Sequence, residues 1–129
     1  MSETTPPRYK PRLKSTPRIR QLYWCDFPND AHLPELWKRR PVIILSKTAT
    51  LHGSVVVIPC STDANQEPRL THALQTSIDG RVSFAICDKP TTVAVSRLSS
   101  PEGHIPRLSE DDFHAVLAKV LSLLPVLPK

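Results

Sequence analysis

The chain reads as mainly β: one small antiparallel barrel with a single α-helix packed on it near the C-terminal end. Two observations predict this. From Gln21 onward, short apolar runs rich in Val and Ile are broken by Pro, Gly, Asn and Asp at the spacing of an all-β domain. Helical periodicity appears only near the end, where Phe113, Val116, Leu117, Val120, Leu121 and Leu124 recur at i, i+3, i+4 and i+7 spacing. A chain of 129 residues fits one domain, here residues 21–125, and buries roughly two-thirds of its unfolded surface without staples.

The alternation predicts six strands: Gln21–Phe27, Pro41–Lys47, Ser54–Cys60, Ala73–Ile78, Val82–Cys87 and Thr91–Val95. Asp79-Gly80 supplies the hairpin turn between the fourth and fifth. For the helix, Ser109 and Asp112 make a start of the capping-box kind, Leu108 is placed to staple onto Phe113, and Pro125 stops the run. Residues 126–129 form a short C-terminal tail.

Charge is unevenly placed. Residues 1–20 carry six basic side chains (Arg8, Lys10, Arg12, Lys14, Arg18, Arg20) against Glu3, which leaves the body balanced at eleven basic and eleven acidic residues. With four prolines and almost no large apolar side chains, this basic Pro-rich tail is expected to be flexible. It either adds non-specific attraction to phosphates or is simply a solubilising extension.

Cys25, Cys60 and Cys87 include no C-x-x-C pair, and each sits in an apolar stretch, which argues against a disulfide framework and against a zinc site. They read as reduced, buried and inert. The start of the chain lacks an apolar signal-peptide core and no run approaches a membrane span, so a cytoplasmic location is expected. His52, His72, His104 and His114 show no ligand spacing, and no metal or cofactor is expected.

Three segments carry candidate chemistry. The first runs Leu22-Tyr-Trp-Cys-Asp-Phe-Pro28, then a polar loop from Asn29 to Lys38 containing Glu35, then Arg39-Arg40-Pro41-Val-Ile-Ile-Leu-Ser46. The second is Val55-Val-Val-Ile-Pro-Cys-Ser-Thr62, and the third Ile86-Cys-Asp-Lys-Pro-Thr-Thr92, followed by Ser96-Arg97-Leu98. In this order and at these distances the segments resemble the MazF/PemK/Kid toxins, with their I/V-W-V-D, loop glutamate, R-P-(apolar)-S, V-V-P-(x)-T/S-T/S and C-D-Q-P-R-T motifs. The resemblance covers about Gln21 to Leu124. It implies a small SH3-like barrel of the MazF/CcdB kind and a metal-independent endoribonuclease cleaving single-stranded RNA. A homodimer and a cognate antitoxin protein are implied as partners.

Cutting RNA without a metal needs a base for the 2′-OH proton, a cation for charge on the phosphorane and a donor for the leaving oxygen. By the resemblance, Arg40 takes the place of the catalytic arginine, where a guanidinium fork suits phosphate oxygens. Ser61 and Thr62 take the place of the hydroxyl pair that supports the scissile phosphate, although Ser-Thr-Asp-Ala-Asn also has strong turn character. Asp88 inherits the general-base role of the Kid-like branch, with partial burial expected to raise its basicity. A carboxylate paired with turn amides is the alternative.

The chain also departs from the pattern. Ile86 stands where that branch carries a catalytic arginine, which leaves Arg40 or Arg97 to protonate the leaving group. Glu35 has Pro34 and Leu36 beside it in place of Glu-Gln-x-Gly, and the loop is one residue longer. Trp37 either stacks on a base or covers a subunit seam. His32, displaced from a histidine some relatives use, reads as a solvated loop residue. The polar stretch Asp63–His72, with Asn65 and Gln66, is the candidate for reading exposed base edges. Glu35, Trp37, Arg39, Asn65, Gln66 and Arg97 complete the expected RNA contacts. Two other classes stay open: a toxin of the same fold that poisons gyrase without a catalytic pocket, and a degenerate barrel that binds RNA or an antitoxin without cutting.

Overall fold

Strand period two divides the apolar residues of each central strand between two faces, and that division builds the molecule. A computed structural model of the chain describes residues 4–63 and 67–128. Its strands are β1 (Leu22–Phe27), β2 (Lys38–Ile44), β3 (Ser54–Ser61), β4 (Thr71–Leu74), β5 (Ser83–Ile86), β6 (Thr91–Ala94) and β7 (Leu98–Ser99). A 3-10 turn spans Val95–Arg97, and helix α1 runs Glu110–Ser122.

All pairings are antiparallel, in the order β4-β5-β3-β2-β1-β7, with β6 also laid along β3. Tyr23, Cys25 and Phe27 of β1, Val42 and Ile44 of β2, and Val55 and Val57 of β3 point to one core. Leu22, Ile43, Ile58 and Cys60 point the other way, onto Phe113, Val116 and Val120 of α1. Each Val or Ile buried in this way contributes about 1.5–3 kcal/mol before the entropy of ordering is counted.

The expected mainly-β fold with a C-terminal helix is present, but among the described residues the ladder does not close from β7 to β4. The reason lies at the β4 edge, which polar side chains of α1 occupy instead of another strand. Lys119 Nζ donates to the carbonyl of Thr71 and, at 3.0 Å, to that of Pro68. Gln75 N donates to Asp112 Oδ2 at 3.0 Å. That last bond takes the chain out of the ladder just past Leu74, so Asp79-Gly80 does not make a two-residue hairpin. Gly80 (φ +81°) instead sits within the longer loop that joins Leu74 to its partner Ser83.

The helix starts as the sequence predicts, with Ser109 Oγ accepting from Asp112 N at 3.1 Å. Asp112 does not complete a capping box; its carboxylate is buried, with Oδ1 2.9 Å from His72 Nε2. Leu121 and Leu124 belong to the predicted apolar stripe, yet both are exposed: the core takes Phe113, Val116 and Val120 of α1, and Leu124 lies past the end of the helix.

The tail also departs from expectation. Leu13 is only 6% exposed and joins the first core, and Arg12 Nη2 lies 2.9 Å from Asp26 Oδ2. Arg20 N donates to Ile44 O at 2.9 Å, and the Arg20 guanidinium donates to Leu108 O through Nε (3.0 Å) and Nη2 (2.8 Å). One leucine and several arginines reaching carbonyls on distant elements tie the segment down, which local composition does not register.

Candidate functional site

The site is positioned by register. Cys25 of β1 lies opposite Arg40, and Val42 of β2 opposite Pro59 of β3. Following the second ladder outward leads to Arg40 and Ser61 at the same end of two neighbouring strands, both on the face of the first core. Arg40 is half-buried at the rim of that core, and desolvation lowers its pKa from the usual guanidinium value. Its Nε donates to Trp37 O at 2.9 Å, which fixes the side chain against the loop that precedes it.

Ser61 ends β3 opposite Phe84, buried, with Oγ accepting from Asp63 N at 3.1 Å. The turn character read from Ser-Thr-Asp is therefore real, and the same turn turns Thr62 out to solvent. On the other side of β3 from β2, β5 and then β6 run antiparallel to it, with Ala85 opposite Cys60 and Thr91 opposite Val57. Between those pairs Ile86–Pro90 face only Ile58–Pro59, so the chain bulges outward. Asp88 sits in that bulge, closed by Lys89 N donating to Ile86 O at 3.2 Å. Asp88 is exposed, so the partial burial expected at this carboxylate is absent. Ile86 is buried and paired with Thr71; the position where some relatives carry a cation is filled by a core side chain here.

The β1–β2 loop closes over this end of the sheet. Glu35 shapes it: His32 N donates to Glu35 Oε1 at 2.8 Å, and Glu35 N donates to His32 O at 2.8 Å. Beside the loop is an open groove of about 690 Å³ whose lining includes Phe27, His32, Glu35, Leu36, Lys89 and Thr91. Lys89 Nζ donates to Pro34 O at 2.9 Å and latches the loop to the β5–β6 bulge. Lys89 is a residue that sequence reasoning missed, since nothing but its place after Asp88 separates it from other surface lysines. Trp37 is exposed, with Lys38 Nζ 5.2 Å from its ring centroid, and Lys38 has a left-handed backbone (φ +61°).

The other expected contacts lie elsewhere. Arg39, adjacent to Arg40 in β2, points to the opposite face and stacks 4.7 Å from the Trp24 ring centroid. Arg97 Nη1 donates to Asp26 O at 3.0 Å. Asn65 and Gln66 lie outside the described residues. Among the described residues, no three or more His, Cys, Asp and Glu side chains cluster so that they could hold a metal ion, and no helix is long and apolar enough to cross a membrane.

Residues 18–124 match the model of the family described as PemK-like, MazF-like toxin of type II toxin-antitoxin system. The chain belongs to this family. Solved MazF structures share its fold at low identity. A MazF from Deinococcus radiodurans is 22% identical over 84% of this chain and 96% of that one, with a TM-score of 0.68. An endoribonuclease in complex with its cognate antitoxin, from Mycobacterial species, is 20% identical over 85% of this chain and 99% of that one, with a TM-score of 0.58. Mycobacterium tuberculosis toxin MazF-mt6 is 18% identical over 81% and 94%, with a TM-score of 0.51. No curated protein matches the sequence. The family match starts at Arg18, so the strapped segment before it lies outside the match.

Proposed function

We propose that this toxin is a cytoplasmic endoribonuclease that cuts single-stranded RNA without a metal, acting as a homodimer restrained by a cognate antitoxin. What supports the reading is that Arg40 and Ser61 lie toward the same end of the neighbouring strands β2 and β3, in a chain of the MazF-like toxin family. Two of the solved relatives are MazE-MazF complexes and one is an endoribonuclease with its antitoxin, which supports the partner and the reaction class.

In the proposed reaction Asp88 accepts the proton of the 2′-OH as its oxygen attacks phosphorus. The bond to the 5′-oxygen breaks, giving a 2′,3′-cyclic phosphate and a 5′-hydroxyl. Arg40 offsets charge on the phosphorane with donors set in a fixed fork, and the hydroxyls of Ser61 and Thr62 support the non-bridging oxygens. The leaving oxygen takes a proton from Arg40, whose desolvation eases that transfer, while Arg97 is engaged at Asp26. Glu35 and Trp37 line the approach on the β1–β2 loop, Asn65 and Gln66 read base edges, and Arg39 contacts the strand farther out.

End-labelled single-stranded RNA incubated with the protein in EDTA tests this. Cuts are expected in RNA but not in a 2′-deoxy oligomer, and Arg40→Ala should slow them about a hundredfold or more. RNA left intact by the wild-type protein would place the chain among the non-catalytic binders of the fold.

A further inference from the structure

The residues before Arg18 lie outside the family match, yet they are held on the body. We infer that this strap and the surface under it form a second track for single-stranded RNA, running outward from the cleavage site. The inference rests on RNA being the substrate.

A groove of about 1190 Å³ runs between strap and sheet, lined by Arg8, Tyr9, Lys10 and Arg12 on one side and by Ser96 and Arg97 on the other. Asp26 is the acidic residue of that lining, and the Arg12 guanidinium compensates it at 2.9 Å. The remaining charge is therefore positive. Tyr9 is 70% exposed, so its ring is not held by the core and presents a face to solvent next to Lys10. Alternating cations and an exposed aromatic ring suit a polymer that alternates phosphates with bases, because phosphate neutralisation and base stacking need both. An acidic protein segment would use the cations and leave the ring without a role.

Position connects this groove to the proposed site. Asp26 is paired with Arg39, one residue along β1 from the Cys25–Arg40 pair, so the groove reaches β1 beside the Arg40 position and on the opposite face of the strands. Arg39 on Trp24 lies at the same crossing. Arg8 is anchored by Nη1 donating to His52 O at 3.0 Å, which holds the strap over the groove.

The test measures binding and not activity. Fluorescence anisotropy across a salt series is read for uncleavable 2′-deoxy oligomers of about 20 and about 5 nucleotides, whose phosphates and bases offer the same contacts. The proteins are wild type, Arg8→Gln/Lys10→Gln and Tyr9→Ala, each with an unchanged melting curve. The double variant should lower the salt slope on the long oligomer by about 1.4, near 0.7 per lost cation. Tyr9→Ala should weaken binding about fivefold or more, and the short oligomer should bind all three alike. An unchanged slope and affinity on the long oligomer overturns the inference, as does equal weakening on the short one. Unaltered oligomer binding with lost binding of a Glu-rich peptide would make this a protein-docking surface and also overturns it. RNA cleavage by the wild type with no slope difference defeats the track alone; a slope difference without cleavage defeats the nuclease reading alone.

Discussion

Asp112→Ala should be among the most destabilising single changes away from the apolar core. The carboxylate is 6% exposed and sits between α1 and the strand it covers. Oδ1 lies 2.9 Å from His72 Nε2, and Oδ2 accepts from Gln75 N at 3.0 Å. Removing it leaves two donors without their partner, at about 1–3 kcal/mol for each one that water cannot reach. His72 keeps a quarter of its side chain exposed, so water recovers part of its bond. Loss of a negative charge in the first turn of α1 adds about 0.3–1 kcal/mol. The sum worked this way is about 2–4 kcal/mol, or on the order of 10 °C in melting temperature for a domain of this size. Asp112→Asn keeps an acceptor for Gln75 N and should lose about half as much. Urea denaturation of wild type, both variants and the His72→Ala/Asp112→Ala pair measures the loss and the coupling. A loss below about 0.5 kcal/mol for Asp112→Ala, or strict additivity with His72→Ala, would refute the claim that this pair holds the helix to the sheet edge.

Three further outcomes follow from other contacts and from burial. Lys89→Met removes the donor to Pro34 O, and amides of residues 29–37 should then exchange about fivefold faster, in line with one partly exposed hydrogen bond near 1 kcal/mol; exchange at the wild-type rate would show that the latch holds nothing. Burial pushes the Cys25 and Cys60 thiols up to about 12 and Cys87 to about 11, so none should react with a thiol reagent at pH 8 until the protein unfolds. Because the folded-state values lie above the unfolded ones, the stability they contribute is complete below about pH 8.5 and declines as pH rises towards 11–12. A fast-reacting thiol at pH 8, or a urea midpoint that does not fall between pH 8 and pH 10, counts against buried neutral cysteines.

What the sequence reveals is what strand and helix periods encode locally. The start of α1 is legible because Ser109 caps it through a bond spanning three residues, and the central strands because their apolar runs alternate or are fully buried. The places of Arg40 and Ser61 beside the central apolar runs are legible for the same reason, whereas a shared role for them is implied by the family resemblance alone. Asp112 is misread as half of a capping box because its true partners, His72 and Gln75, stand some forty residues away. β7 is two residues long and carries no period to detect. Leu13 is a lone leucine among prolines and arginines, and only the cluster it joins, built from residues of β1, β2, β3 and β6, makes it a core residue. β2 begins at Lys38 rather than Pro41 because Phe27, Asp26 and Cys25 supply it with partners, whatever the charge of its own side chains.

The two adjacent arginines show how the fold gives a sequence pair two different settings. In a strand, neighbours point to opposite faces, so Arg39 and Arg40 cannot serve one phosphate from the same side. Arg40 is turned to the rim of the first core, where partial burial removes water from the guanidinium and Trp37 O fixes its Nε. Arg39 is turned outward onto Trp24, opposite Asp26. A register slip by one residue would exchange them and bury the wrong one. That slip is opposed on both sides of β2: Val42 and Ile44 must stay with Tyr23 and Val57 in one core, and Ile43 with Ile58 under the helix. The apolar pattern of Val42-Ile43-Ile44 therefore decides which arginine shares a face with Ser61; on the proposed function, an RNA strand passing from one face to the other would meet both in turn.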